Sequence, residues 1–173
     1  MDKRSLDGLT LSERTGVPKL RVQRMPGAQL PAAATLPATP NTAHGDDPWA
    51  LWLGPGEWLL YSLQGGIEPL QNFVEADAQT QSVVTAEITQ GLTLIELSGT
   101  ETLAVLATGC GLDLSGGAVP AGACAQSQFH QVPFLLHRPG GSDAWRLFVD
   151  RALGRHLFDS LCWHHEIRHL RSR

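Results

Sequence analysis

Lysine is nearly missing from this chain. Lys3 and Lys19 stand against eleven arginines that are scattered or gathered near the C-terminus, and the formal net charge is -4 at pH 7. Without a basic stripe to follow a phosphate backbone, nucleic acid is excluded as an expected partner. Long apolar runs are also missing: none approaches the roughly 18 to 20 residues that cross a bilayer, so no membrane span is expected. The first twenty residues, MDKRSLDGLTLSERTGVPKL, lack the apolar segment and small-residue cleavage site of a secretory signal. The expectation is a cytoplasmic protein. Cysteine is scarce as well. Cys110, Cys124 and Cys162 are an odd number at wide spacing, which fits neither a disulfide framework nor paired zinc ligands, and they read as buried thiols.

Motifs for several chemistries are absent. No G-x-x-x-x-G-K-S/T phosphate loop occurs, and Gly54-Pro55-Gly56 does not have the spacing of a dinucleotide fingerprint. Ser98 and Ser115 lie in LSGT and LSGG, neither of which is the G-x-S-x-G elbow of a serine hydrolase. Cys124 as a nucleophile would need a base, for which His130 and His137 are near in sequence. A packed thiol is the simpler reading. His165-Glu166-Ile167-Arg168-His169 matches H-E-x-x-H, whose chemistry requires two histidines one helical turn apart on a metal and a glutamate base. Only Leu170 to Arg173 follow it, leaving no downstream third ligand. The stretch therefore reads as a solvated basic helix end opposing the helix dipole.

What is present is a globular composition, 42% hydrophobic and 17% charged over 173 residues, enough for one self-supporting domain or two small lobes sharing a core. Residues 1–47 mix short apolar pieces with proline and alanine and read as an N-terminal arm and loop. ALWLGPGEWLLYSL then predicts a β-hairpin turning at Gly54-Pro55-Gly56-Glu57. Leu70, Phe73 and Val74 fall on one side of a helix starting at Glu68. LTLIELSG predicts a strand, and Ser98 with Glu101 forms a capping-box pattern for a following helix. Leu103, Leu106 and Ala107 would line that helix, and Gly109 would end it in a left-handed conformation.

ACAQSQFHQVPFLLHR and AWRLFVD predict strands joined by a Pro-Gly-Gly turn, with Trp145, Leu147 and Val149 on one face. Pro133 places its strand at an edge or bulge. Asp150 is the expected N-cap of a last helix whose apolar face is Leu153, Leu157, Phe158, Leu161 and Cys162. The order strand, helix, strand, strand, helix over residues 92–165 predicts an α+β fold with a split-βαβ, ferredoxin-like core, its antiparallel sheet on one side and helices on the other. The boundaries expected are 1–47, 48–165, and a basic tail at 166–173. Trp49, Trp52 and Trp58 cluster around the hairpin and read first as core residues.

Two blocks carry a resemblance. LPATPNTA followed by ALWLGPGEWLLYS resembles the signature of sarcosine oxidase gamma subunits. So does the stretch 88–136, with Gly109, Cys110, Leu112, Asp113 and Leu114 followed by Pro120, Gly122, Cys124, Ala125 and Gln126. Gly56, where an acidic residue is common in that family, and the histidine-rich tail depart from the pattern. IELSGTETLAVLATGC is also similar to the folate-binding aminomethyltransferase superfamily, which implies that architecture.

The resemblance implies a four-chain complex with alpha, beta and delta subunits that oxidises sarcosine to glycine and yields hydrogen peroxide, with formaldehyde or methylenetetrahydrofolate as the one-carbon product. FAD, NAD and FMN would be held by the alpha and beta chains, and tetrahydrofolate would be a co-substrate. No catalytic, cofactor-binding or metal residue is assigned to this chain. Trp49, the arm from Pro37 to Thr42 and an exposed Phe148 are the expected partner surface. The alternative is a stand-alone folate-binding protein, for which Glu96, Glu101 and Arg138 are the nearest ligand candidates. A metallopeptidase built on His165 and His169 is a more distant reading.

Overall fold

A computed structural model describes residues 2–28, 36–76, 83–114 and 117–171. Eleven strands among them form two antiparallel sheets. The six-stranded sheet runs in the order β1 (Lys3–Leu6), β2 (Leu9–Arg14), β8 (Leu92–Ser98), β11 (Trp145–Asp150), β10 (Val132–Arg138), β9 (Ala123–Phe129). The five-stranded sheet is ordered β4 (Ala43–Gly45), β5 (Trp49–Gly54), β6 (Glu57–Tyr61), β3 (Lys19–Arg24), β7 (Val83–Glu87). The helices are α1 (Glu68–Ala76), α2 (Thr102–Leu106) and α3 (Arg151–Arg171).

Alternation along the strands sorts the side chains into layers, because successive strand residues face opposite ways. On β11, Trp145, Leu147 and Val149 join Val105 and Leu106 of α2 and Leu157, Phe158, Leu161 and Cys162 of α3 in one buried cluster. Phe148, one residue out of phase, packs instead with Leu51, Leu59 and Tyr61 of the second sheet. That sheet turns its other face, including Val22, Trp58 and Leu60, onto Leu70 and Val74 of α1. The layers are thus α2 and α3, six strands, five strands, and α1. The α+β reading with helices against one sheet holds over residues 92–165, and the second sheet covers the opposite face.

Several local expectations are met. The hairpin pairs Trp52 with Trp58 and Gly54 with Glu57. Gly56 takes φ 80° at the turn, a conformation that favours glycine. Asp150 caps α3, its carboxylate accepting from the Ala152 amide at 2.8 Å. The apolar face predicted for α3 is the one buried.

Others are corrected. The described part of residues 1–47 is not a loose arm: β1, β2, β3 and β4 lie there and complete both sheets, while residues 29–35, where part of the expected Pro/Ala-rich loop falls, lie outside the described residues. Their partners are far along the chain, as in Leu11 with Leu97 and Val22 with Trp58, so no local pattern announces them. Residues 166–171 continue α3 and are no separate tail. Ser98 is the last residue of β8, and α2 starts only after Glu101, without a side-chain cap. The intervening Gly99, at φ 108°, approaches so closely that a Cβ would strike the Gly8 carbonyl.

The buried residues of α2 are Thr102, Val105 and Leu106, while Leu103 is 40% exposed. Pro133 lies on an interior strand, but beyond the β11 ladder, which begins at Phe134. No pairing with β11 is therefore lost by its missing N–H.

Candidate functional site

One set of polar residues inside the protein draws on four strands facing across the two sheets, with a fifth strand at its margin. Tyr61 ends β6, His137 sits on β10, Arg146 on β11 and Glu96 on β8. The Arg146 guanidinium donates to the Tyr61 hydroxyl oxygen at 2.8 Å and to Glu96 Oε2 at 3.0 Å. Arg14 of β2 donates to the other Glu96 oxygen at 3.0 Å. The Tyr61 hydroxyl lies 2.6 Å from His137 Nδ1. Trp49 of β5 stacks on Tyr61 with centroids 4.9 Å apart, and the Arg146 guanidinium lies 4.5 Å from its ring centre.

Protonation follows from burial. Desolvation, helped by the positive charge of Arg146, pushes His137 down to about 3, so its ring is neutral at ordinary pH. Burial raises Tyr61 despite the opposing pull of Arg146, so the phenol keeps its proton. Since Arg146 can only donate, Tyr61 gives its single hydrogen to His137 Nδ1. The chain runs from His137 through Tyr61 and Arg146 to Glu96, with every shared hydrogen assigned. A histidine this acidic is a poor base near neutrality.

Cys124 stands directly opposite His137 in the β9–β10 ladder, a juxtaposition that sequence proximity left open. Its thiol nevertheless points to main-chain carbonyls, 3.2 Å from Thr42 O and 3.4 Å from Trp52 O. Burial pushes it up to about 11. A thiol held protonated and bonded to carbonyls is a packed group, not a nucleophile. Lys19 also faces this layer. Its Nζ donates to Val17 O at 2.8 Å, and burial lowers it to about 8.

Two openings flank the network. A cavity of about 340 Å³ beside His137 and Trp49 is bordered by Asp46 and by Gly122, Gly140 and Gly141. A larger cleft of about 540 Å³ runs between the sheets over Leu53, Leu59, Leu135 and Phe148, with Arg21, Glu57 and Asp150 at its rim.

The folate-ligand candidates do not converge. Glu96 is held by two arginines in the network. Glu101 lies 3.6 Å from Arg168 at the start of α2. Arg138 donates to Val119 O and stacks over Trp145. The expected partner surface also changes. Phe148 is 2% exposed and Trp49 is buried, both between the sheets. Of the stretch from Pro37 to Thr42, Pro37 accepts from the Trp58 indole at 2.7 Å. Asn41 O accepts from the Cys124 amide and Thr42 bridges Ala123, so this segment covers the exposed edge of β9 and ties it to β4.

His165 is 4% exposed, and its Nε2 donates to Asp7 O at 2.7 Å. Of the motif only His165 is buried; Glu166 is exposed and Ile167, Arg168 and His169 are half-buried, so the stretch is a partly solvated helix end whose first histidine has a ring nitrogen already in use. Among the described residues no group of three or more His, Cys, Asp or Glu is arranged to hold a metal ion. The Tyr61–His137–Arg146–Glu96 set was missed in the sequence. The only local hint was an arginine and a histidine at alternating positions within otherwise apolar strands.

No helix among the described residues is long and apolar enough to cross a membrane. The fold matches a chain of the heterotetrameric sarcosine oxidase from Corynebacterium sp. U-96, solved in complex with pyrrole 2-carboxylate. That match has a TM-score of 0.77 and 26% identity, covering 90% of this chain and 83% of that one. The glycine cleavage system aminomethyltransferase T from Bartonella henselae shares the fold at a TM-score of 0.61 and 17% identity, this chain spanning 45% of its length. No curated protein matches. Residues 19–165 match the family described as sarcosine oxidase, gamma subunit family, and the chain belongs to that family.

Proposed function

We propose that this chain is the gamma subunit of a cytoplasmic heterotetrameric sarcosine oxidase and that its role is assembly, with the redox chemistry carried by its partners. The observation that supports this most is the likeness, over 90% of this chain and 83% of the other, to a chain of an oxidase that is itself heterotetrameric. The partners would be the alpha, beta and delta subunits, with FAD, FMN and NAD bound outside this chain and tetrahydrofolate taking the one-carbon unit. The interior chemistry agrees with an assembly role. The phenol and thiol between the sheets keep their protons and the imidazole beside them stays neutral, and each makes its hydrogen bonds within the chain.

The test is affinity purification of the tagged chain from its native cells, with identification of the proteins retained and a flavin absorbance scan. Large flavin-binding partners and sarcosine-dependent hydrogen peroxide are the expected result. A chain that emerges alone and binds tetrahydrofolate would overturn the subunit reading and replace it with the stand-alone folate-binding one.

A further inference from the structure

At the far side of the α3 layer, away from the inter-sheet network, two imidazoles face each other. His130 occupies the two-residue turn between β9 and β10, and His164 projects from α3. Their Nε2 atoms are 2.8 Å apart and the rings are tilted by 33°. We propose that His130 and His164 form a two-nitrogen site for a divalent transition-metal ion, with water completing the coordination.

Three features hold the pair ready. Phe129 lies edge-on to both rings, at 4.8 Å from His130 and 5.4 Å from His164, and Trp163 packs edge-on to His164 at 5.0 Å. The buried Phe129 backs both rings from the core side, the kind of support a preorganised site requires. His130 adopts φ 51°, a conformation that costs a histidine more than a glycine and is retained where surrounding structure enforces it. Its amide donates to Gly109 O at 2.8 Å.

Gly109 supplies the third feature. It was expected to end a helix with positive φ, yet it is not among the positive-φ glycines. A Cβ there would instead come within 2.9 Å of His130 Nε2. The glycine therefore makes room for this imidazole.

The geometry suits a metal. Zinc–imidazole bonds are about 2.0–2.1 Å, so a tetrahedral ion sets its two nitrogens about 3.3 Å apart. The pair needs to open by only about half an ångström from its present separation. An adjoining cavity of about 430 Å³, also lined by His156, Ser160 and Trp163, leaves space for water ligands. His156 itself is eight residues from His164 on the same helix, about 12 Å along its axis, too far to bind the same ion.

Imidazole donors select copper, nickel and zinc over magnesium or calcium. Binding would clamp the β9–β10 turn to α3.

The experiment is calorimetric titration of the untagged full chain with nickel, zinc and copper chlorides, together with copper electron paramagnetic resonance. A single ion per chain, copper tightest, with nitrogen hyperfine coupling is expected. His130→Asn, chosen because asparagine tolerates positive φ, and His164→Gln should each weaken binding by more than about tenfold, the loss that even a supporting outer partner can cause. His156→Ala should bind as the parent does. Unchanged binding in His130→Asn and His164→Gln variants that melt like the parent without metal would overturn the site, as would no binding of any of the three ions.

Discussion

The two faces of the six-stranded sheet solve the same burial problem differently. Toward α2 and α3 the contact is made mainly by Leu, Ile, Val, Phe and Trp side chains such as Ile95, Leu97, Leu147, Phe158 and Leu161, with only isolated polar pairs such as Thr93–Glu13 and His165–Asp7 O, which leaves it the drier face. Toward the second sheet, apolar residues share the layer with Tyr61, His137, Arg146 and Glu96. The dry face gains stability in proportion to area buried and tolerates small shifts. The mixed face gains less net energy, because each desolvated polar group must recover its lost water bonds. In exchange its Tyr61, Arg146 and Glu96 side chains are tied into one hydrogen-bond pattern. This difference assigns bulk stability to the helix side and the relative placement of the two sheets to the network.

Substitutions on the two faces test that assignment. Phe158→Ala, on the dry face, should cost about 3–5 kcal/mol in denaturant unfolding, since the cavity adds to lost transfer energy. Arg146→Met should cost about 2–3 kcal/mol, because it leaves the Tyr61 oxygen without its donor and Glu96 with Arg14 alone. Adding Glu96→Gln should recover part of that loss. A neutral Arg146→Met would break the contrast between the faces.

The third prediction concerns pH. His137 titrates near 3 in the folded protein and near 6.5 when unfolded, so between these values the unfolded chain binds the extra proton. Its contribution to stability is complete above pH 6.5 and is lost as pH falls toward 3. The slope approaches about 1.4 kcal/mol per pH unit. The difference in unfolding free energy between parent and His137→Gln, followed from pH 7 to pH 4, should show this slope.

One helix cap and one residue that only resembles a cap in sequence give the smallest effects. Asp150→Ala, at the start of the helix that forms the dry face, should cost about 1 kcal/mol in thermal unfolding. Ser98→Ala should stay within about 0.5 kcal/mol, since Ser98 serves a strand and caps nothing.

Those two residues also show what the sequence disclosed. Asp150 was legible because it precedes a long helix whose apolar spacing is strong. Ser98 had the same local signature, but the chain continues as strand through it, held by β2 pairing and the tight approach of Gly99 to Gly8. The hairpin at Gly54–Glu57 and the strand β11 were legible from alternation and turn chemistry, but ACAQSQFHQVPFLLHR, read as one strand, is two, β9 and β10, turning at His130–Gln131. The strands before residue 47 were not, because β2 and β3 are short and find their partners at Leu97 and Trp58, far along the chain.

The inter-sheet network was hidden for the same reason. Tyr61, Glu96, His137 and Arg146 are dispersed over 86 positions; strand pairing sets Glu96, Arg146 and His137 side by side, and sheet stacking brings Tyr61 onto them. Phe148 was misplaced on the surface because alternation tells which residues share a face, but not that a second sheet covers it.

The most direct measurement is sarcosine-dependent oxygen consumption, per flavin, of the oxidase assembled with a chain carrying Tyr61→Phe, Cys124→Ala and His137→Gln together. An intact complex turning over at the parental rate per flavin is what the proposed assembly role predicts, since under it these groups order the subunit's interior and meet no reacting atom. An intact, flavin-loaded complex whose rate collapses would contradict a purely assembling role.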